Sequence, residues 1–132
     1  MPIGTPAYYA SPTVLLGATD ISSVVSSATV TAGYDELEIT AFGNTGHRMT
    51  KGLKTAEVSL SCFATYGVGS LEATLNDILG DGNTTVTISN DEVEWEITNM
   101  MLSSAPVINQ TTGEISTIDV TLTGGEWTRT AL

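Results

Sequence analysis

The sequence contains little positive charge. Its 132 residues include four lysines and arginines against fifteen aspartates and glutamates, which gives a formal net charge of −11. Sequence-specific binding of nucleic acid and binding to an anionic membrane surface both need a basic surface, so this charge balance excludes them as the main function. The sequence also has no apolar run near the ~18 residues of a membrane span, and we expect no membrane association.

Cysteine and histidine each occur once, as Cys62 and His47. An internal disulfide or a zinc cluster of the usual nitrogen and sulfur ligands therefore cannot form within one chain. A hydrolytic triad would require His47 to meet a serine and a carboxylate, and an exposed loop histidine is the simpler interpretation. No glycine motif that cradles phosphate or a dinucleotide is present either. We therefore expect a protein that is not an enzyme and that binds no cofactor and no metal.

What the sequence has in abundance is β-branched residues: threonine, valine and isoleucine supply 41 of the 132 positions. These residue types favour strands. Alternation of apolar and polar residues predicts a mainly β fold, an antiparallel β-sandwich or barrel, with Cys62 as a small buried hydrophobe. The predicted strands are 21–31, 35–42, 56–66, 85–89, 92–98 and a hairpin over 102–123 that turns at 109–113.

One segment has helical spacing of its apolar residues, and it predicts a short amphipathic α-helix over about residues 70–79. Ser70 is a suitable N-cap, and Glu72 suits the first turn because of the helix dipole. Gly80 can adopt the left-handed conformation that ends many helices.

Three of the four basic residues lie within one short stretch, and they give the first candidate site. Residues 43–52 contain three glycines and no apolar periodicity, so they are predicted to be a loop. The candidate contact residues in and beside this loop are His47, Arg48, Lys51 and Lys54. They are either ordinary solvated charges or a patch that docks on the acidic surface of another copy, which is a head-to-tail contact.

The second candidate site is a row of acids, Glu92, Glu94 and Glu96, on one face of a predicted strand. Like charges about 7 Å apart repel one another and contribute nothing to folding. The row is either a solvated face that keeps an acidic protein soluble or a surface that is negative because a polyanion must pass it without sticking.

The run Tyr34–Gly43, the basic loop after it, Gly52, Leu53 and the strand Ala56–Phe63 resemble the major tail (tail tube) proteins of long-tailed, non-contractile phages. In that family a strand ending in Thr-x-Phe-Gly is followed by a polar loop, a Gly-Leu pair that opens a strand, and a short helix. The resemblance extends from about Tyr34 to Thr123. It does not cover the proline-rich residues 1–12, which we expect to be an extended N-terminal arm ahead of a single tail-tube domain, 13–132.

The resemblance implies a small β-sandwich that forms hexameric rings, which stack into a tube through which phage DNA passes without specific binding. It implies that the basic loop contacts the next ring and that Glu92, Glu94 and Glu96 face the lumen or a subunit boundary. The partners implied are further copies of the chain and other tail proteins, such as the tape measure and the terminator. The implied location is the virion tail, assembled in the host cytoplasm. This agrees with an N-terminus that has no signal-peptide pattern.

Two other interpretations remain open. One is a related component: a tail terminator, a decoration protein, or the tube of a contractile or secretion-type machine. The other is an unrelated β-sandwich binding module, which should stay monomeric and display a pocket or an exposed aromatic patch. Trp95 alternates with Val93 and Ile97 and is expected to point inward, so it does not supply such a patch.

Overall fold

The computed structural model describes residues 12–90 and 92–132, and this part of the chain is built mainly from antiparallel β-strands. Eight strands and one helix follow one another in the described residues. They are β1 (Thr13–Leu16), β2 (Thr19–Asp20), β3 (Val25–Glu38), β4 (Met49–Phe63), α1 (Leu71–Ile78), β5 (Thr84–Ser89), β6 (Val93–Met100), β7 (Thr117–Thr123) and β8 (Glu126–Ala131).

The strands form two sheets whose inner faces share one core. The five-stranded sheet has the order β2-β1-β5-β6-β8, and the three-stranded sheet has the order β3-β4-β7. Every neighbouring pair is antiparallel. The predicted fold class, mainly β with antiparallel sheets and one short helix, is confirmed.

The core follows from the alternation of apolar residues along β4 and β7. Leu60 pairs with Val120, and Val58 pairs with Leu122, so apolar side chains lie side by side on the inner face of the three-stranded sheet. The five-stranded sheet contributes the residues that pack against them. The buried apolar residues are Val14, Leu16, Ile21, Ala56, Val58, Leu60, Cys62, Leu71, Leu75, Val86, Ile97, Met100, Leu102, Ile118, Val120 and Leu122.

The predicted helix is confirmed. Ser70 is its N-cap, and the Ser70 hydroxyl accepts a hydrogen bond from the amide of Ala73 at 3.3 Å. Leu71 and Leu75 face the core, and Gly80 has the left-handed conformation just past the end (φ 81°). Within the described ranges no helix has the length and apolar character needed to cross a membrane.

A corner between the two sheets determines where the last strand lies. Met101, just after β6, pairs with Thr123 at the end of β7, so the chain bridges the two sheets there. Gly124 and Gly125 follow, both with positive φ. A Cβ at Gly125 would lie 2.3 Å from the carbonyl oxygen of Thr98, so only glycine fits, and this close approach brings β8 beside β6.

Two of the predicted strands, 21–31 and 35–42, contribute to one continuous strand, β3, which begins at Val25, so 21–24 were wrongly assigned to a strand. Residues 32–34 between them have no turn residue other than Gly33, and pairing with β4 carries the strand through. β3 ends at Glu38, so 39–42 were wrongly assigned to a strand. The predicted loop 43–52 was also misplaced: the connection is 39–48, and 49–52 belong to β4 because they pair with β3.

The hairpin predicted over 102–123 is wrong, because residues 103–116 form no strand and only β7 remains. Polar side chains anchor this segment instead: the Asn109 side chain donates to the carbonyl of Thr117 at 2.6 Å. Strands β1, β2 and β8 were not predicted. Of the predicted N-terminal arm, residues 1–11 lie outside the described residues.

Cys62 provides a test of the packed core. Burial, with a smaller contribution from the negative charge of Asp119, raises the pKa of the Cys62 thiol from 9.0 to about 11. The folded chain therefore holds the thiol proton more tightly than the unfolded chain. The resulting stabilisation is complete below pH 9 and is lost as pH rises from 9 towards 11.

We expect the free energy of unfolding in urea to fall across that window by about 2 kcal/mol more in the native protein than in a Cys62→Ala variant. Because the two proteins differ only at residue 62, the comparison isolates the contribution of the Cys62 thiol. An identical pH dependence for both would contradict the buried, protonated thiol.

Candidate functional site

The outer halves of β3 and β4 extend beyond the sandwich as a two-stranded ribbon. The β4–β7 pairing ends at Glu57, whereas the β3–β4 pairing continues to Glu38 and Met49. We call residues 34–54, which comprise this ribbon and its connection, the hairpin. Much of its surface is exposed, so it is the part of the described chain best placed to contact another molecule.

The hairpin exposes large apolar side chains that have no cover within the described chain. Phe42, in the connection, is completely exposed, and Leu53 is 79% exposed. Three others are about half exposed: Leu37, Ile39 and Met49. A concentration of such residues on one projecting element is typical of an interaction surface.

The hairpin carries no net charge, in contrast to the rest of the chain. Its three basic residues are balanced by three acids, since Asp35, Glu36 and Glu38 lie on the strand paired with Lys51 and Lys54. Twelve acids and one base, Arg129, remain outside the hairpin. The sequence-predicted basic stretch is thus one half of a balanced ribbon on a strongly acidic body.

At the end of the ribbon, His47 and Arg48 belong to a network of hydrogen bonds. The Glu38 carboxylate accepts from Nδ1 of His47 at 2.7 Å and from the hydroxyl of Thr40 at 3.0 Å. Thr40 in turn accepts from the backbone amide of Arg48 at 2.9 Å. The hydrogen bond from His47, then that from Thr40, lowers the pKa of the Glu38 carboxyl.

Lys51 and Lys54 lie elsewhere, at the root of the hairpin. Tyr34 pairs with Lys54 and Glu36 pairs with Lys51, so β4 has one residue more than β3 between these pairs, which is a β-bulge. In a regular strand, residues three apart point to opposite faces. The bulge places both lysines on one face: the Lys51 ammonium is 5.0 Å from the centre of the Tyr34 ring, and that of Lys54 is 4.5 Å from the Trp127 ring.

Trp127, on β8, contacts both strands at this root. Its indole N–H donates to the carbonyl of Gly33 on β3 at 3.1 Å, and its own carbonyl accepts from the Lys54 ammonium at 3.0 Å. The Tyr34 and Trp127 rings are nearly perpendicular, with their centres 5.4 Å apart, and the centre of the Trp95 ring lies 5.5 Å from that of Trp127. Trp95 lies on the same face as buried Ile97, as expected.

Of the three acids in the predicted row, two lie on β6 and the third precedes that strand. Glu94 and Glu96 lie on the outer face of the five-stranded sheet, opposite hydroxyl side chains such as Thr130 and Thr128. Arg129, between those threonines, pairs with Trp95 on the other face, so it does not neutralise the acids. Glu92 precedes β6, and its carbonyl accepts from the amide of Leu132 at 2.8 Å.

A second hydroxyl-rich face, which the sequence analysis did not single out, covers the outside of the three-stranded sheet. It also has acids: the Ser61 hydroxyl donates to the Asp119 carboxylate at 2.8 Å. Its hydroxyl and acidic members on β4 and β7 alternate with the core residues, and they are Thr55, Glu57, Ser59, Ser61, Thr117, Asp119, Thr121 and Thr123. The sandwich therefore carries acids and hydroxyls on both outer faces.

Sequence reasoning missed the contacts of Trp127, although Trp127, Thr128 and Thr130 are residue types that favour a strand. Phe42, predicted to lie in a strand, is instead exposed in the connection. In residues 12–90 and 92–132, no three His, Cys, Asp or Glu side chains group closely enough to hold a metal ion.

No protein-family model matches this chain, and no curated protein sequence is significantly similar to it. Solved structures do share its fold. A chain of the tube terminating cap of the anti-feeding prophage has a TM-score of 0.71 and 18% identity, with 100% of this chain and 95% of that chain covered. A chain of the sheath–tube complex of the extracellular contractile injection system PVC, in the extended state, has a TM-score of 0.68 and 20% identity, with 98% and 95% covered. A chain in the virion of a native gene transfer agent particle has a TM-score of 0.72 and 12% identity, with 92% and 96% covered.

The Glu38–His47 contact provides a test of the hairpin end. In a His47→Ala variant we expect the pKa of the Glu38 carboxyl, followed by NMR, to rise towards its ordinary value because the largest cause of its lowering is removed. The carboxyl of Asp20 serves as a control in the same spectra, since hydrogen bonds from Ser22 lower its pKa instead. An unchanged Glu38 titration would show that His47 does not hold this carboxylate in solution.

Proposed function

We propose that this protein is a structural subunit of the tube of a phage-tail-like particle, in which copies assemble head-to-tail into rings that stack around a channel. The observation that carries the proposal is the extent of the fold match. More than nine-tenths of this chain aligns with more than nine-tenths of chains from a tube terminating cap, a sheath–tube complex and a gene transfer agent virion.

The exposed apolar residues of the hairpin support assembly. Fully burying a side chain such as Phe42 or Leu53 is worth about 1.5–3 kcal/mol, and the described residues provide nothing that buries them. A second copy does, if its surface receives the hairpin. Because the hairpin and its receiving surface are different patches, this contact is heterologous and builds rings or filaments.

The sheet edges support the same conclusion. β8 and β2 end the five-stranded sheet, and β3 lies at one edge of the three-stranded sheet, so their outer backbone groups have no strand partner in the described chain. Free edges promote uncontrolled pairing in a monomer. Closure into a ring pairs or covers them.

The finer assignments follow from the resemblance and from charge. We propose hexameric rings, a location in the tail of a virion assembled in the host cytoplasm, and contacts with other tail proteins such as the tape measure and the terminator. We propose a channel for DNA, past which acids and hydroxyls such as Glu94, Glu96 and their threonine neighbours permit sliding, because no basic group there binds phosphate. Among the solved structures of this fold are parts of contractile systems, so the proposal includes contractile as well as flexible tails.

A terminator, which caps a tube instead of building it, is the second candidate. It is favoured by the match to a tube terminating cap. Negative-stain electron microscopy of the concentrated protein separates the possibilities: tubes indicate a tube subunit, and single rings that do not stack indicate a terminator. A monomer at every concentration favours a binding module over a tube subunit, although a tail protein that assembles only on an initiator complex would also stay monomeric.

For the predicted inter-ring contact, we expect replacement of Arg48, Lys51 and Lys54 by serine to weaken or abolish stacking, measured by sedimentation and microscopy. Circular dichroism should show an intact fold, since none of the three is buried. Arg129→Ser is the matched control, because it removes the one basic residue outside the hairpin. Tubes of normal length from the triple variant would refute this contact.

For the acidic row, we expect the double variant Glu94→Lys, Glu96→Lys either to form tubes that retain labelled DNA in a salt-dependent manner or to stop assembling. The first result corresponds to a lumen, where new cations bind phosphate, and the second to a subunit boundary. Glu72→Lys with Glu114→Lys makes the same charge change away from this face. If both double variants behave alike, the acidic row has neither role.

A further inference from the structure

The hairpin is a two-stranded ribbon, and such a ribbon has little stability of its own in water. Its root is where it meets the rest of the protein. There, Trp127 belongs to the five-stranded sheet, whereas the hairpin leaves from the three-stranded sheet. The residue therefore joins the ribbon to the opposite layer of the sandwich.

The contacts of Trp127 are divided between the two strands of the hairpin. On β3, the carbonyl of Gly33 accepts a hydrogen bond from the indole N–H of Trp127. On β4, the Lys54 ammonium donates a hydrogen bond to the Trp127 carbonyl and also lies over the face of the indole ring. The Tyr34 ring, nearly perpendicular to the indole, completes the contact on the ribbon side. Contacts with both strands fix a direction, whereas contact with one would leave the ribbon free to twist about it.

We propose that Trp127 is the positioning residue that sets the direction in which the hairpin leaves the sandwich, with Lys54 as its partner, and that assembly depends on this direction. The second half of the proposal rests on the proposed function, and the first half does not. Lys54 then has a role within its own chain in addition to the proposed contact with the next ring, and a distance measurement on the monomer reports the first of these roles alone.

The backbone of the hairpin has a close approach of its two strands and a bend next to the root. A Cβ at Gly52 would lie 3.1 Å from both Cβ and the carbonyl oxygen of Asp35, so glycine allows the strands to approach closely at the bulge. The bulge bends the ribbon immediately beyond the Trp127 contacts. Without the Trp127 contacts, nothing on the opposite sheet would hold the root of the hairpin, and the ribbon would be free to change its direction near this bend.

The test is a distance measurement between spin labels on the monomer. Thr45→Cys at the hairpin end and Thr121→Cys on the outer face of β7 provide two exposed sites, and buried Cys62 with its raised thiol pKa labels poorly. We expect one narrow distance distribution in the parent protein. Trp127→Phe, which removes the N–H donor, and Lys54→Met, which removes the ammonium, should each cause loss of that narrow peak while amide exchange in the core is unchanged.

Trp95→Phe is the matched control, since Trp95 packs on Trp127 without a hydrogen bond to the hairpin. The narrow distance distribution between the two labels should persist in this variant. A folded Trp127→Phe, Lys54→Met double variant that keeps the parent distribution would overturn the proposal. So would equal broadening in the control. If Trp127→Phe does not fold, the Lys54→Met variant is sufficient: loss of the narrow distance distribution supports the proposal, and its retention overturns the proposal.

Assembly is measured separately on the same variants. If a fraction of the hairpins points in the competent direction, the apparent affinity falls in proportion to that fraction, and we expect the critical concentration to rise on the order of tenfold. A broadened distribution with unchanged assembly would retain Trp127 as the positioning residue but overturn the dependence of assembly on it. A parent protein that never assembles would count against the proposed function and leave the distance test intact.

Discussion

The fold depends on a single strand, β4, being part of two different structures. Its second half, Ala56–Phe63, lies in the middle of the three-stranded sheet and contributes four buried side chains to the core. Its first half has one neighbour, β3, and leaves the sandwich. Every strand contact that stiffens the core half therefore also anchors the base of the hairpin, and the change from three strands to two defines where the body ends and the projecting surface begins.

Alternation made the core half of the fold predictable. Where one face is buried, as in 56–63 and 117–123, apolar and polar residues alternate strictly, and the helix showed its own spacing and caps. Where both faces of a strand are exposed, apolar and polar residues no longer alternate regularly. β3 is largely exposed, and the sequence pattern predicted two separate strands in its place. Pairing with β4, which no local pattern reveals, makes them one.

The candidate site was predictable as a set of residues but not as an arrangement. Arg48, Lys51 and Lys54 are close in sequence, which suggested one basic patch. The paired strand brings acids beside them, and the bulge turns Lys51 and Lys54 towards aromatic rings. One of those rings, Trp127, lies 73 residues from Lys54 along the chain, so only the packing of one sheet on the other could disclose the contact.

The geometry of the ribbon makes it a lever. From Lys54 to Met49 the strand extends about 17 Å at the usual rise per residue, and the connection adds to that length. Over 17 Å, a rotation of about 10° at the root displaces the far end by roughly 3 Å, about the length of one hydrogen bond. The displacement of the far end grows with the length of the ribbon. Stiff contacts therefore limit the position of the far end most effectively when they lie at the root.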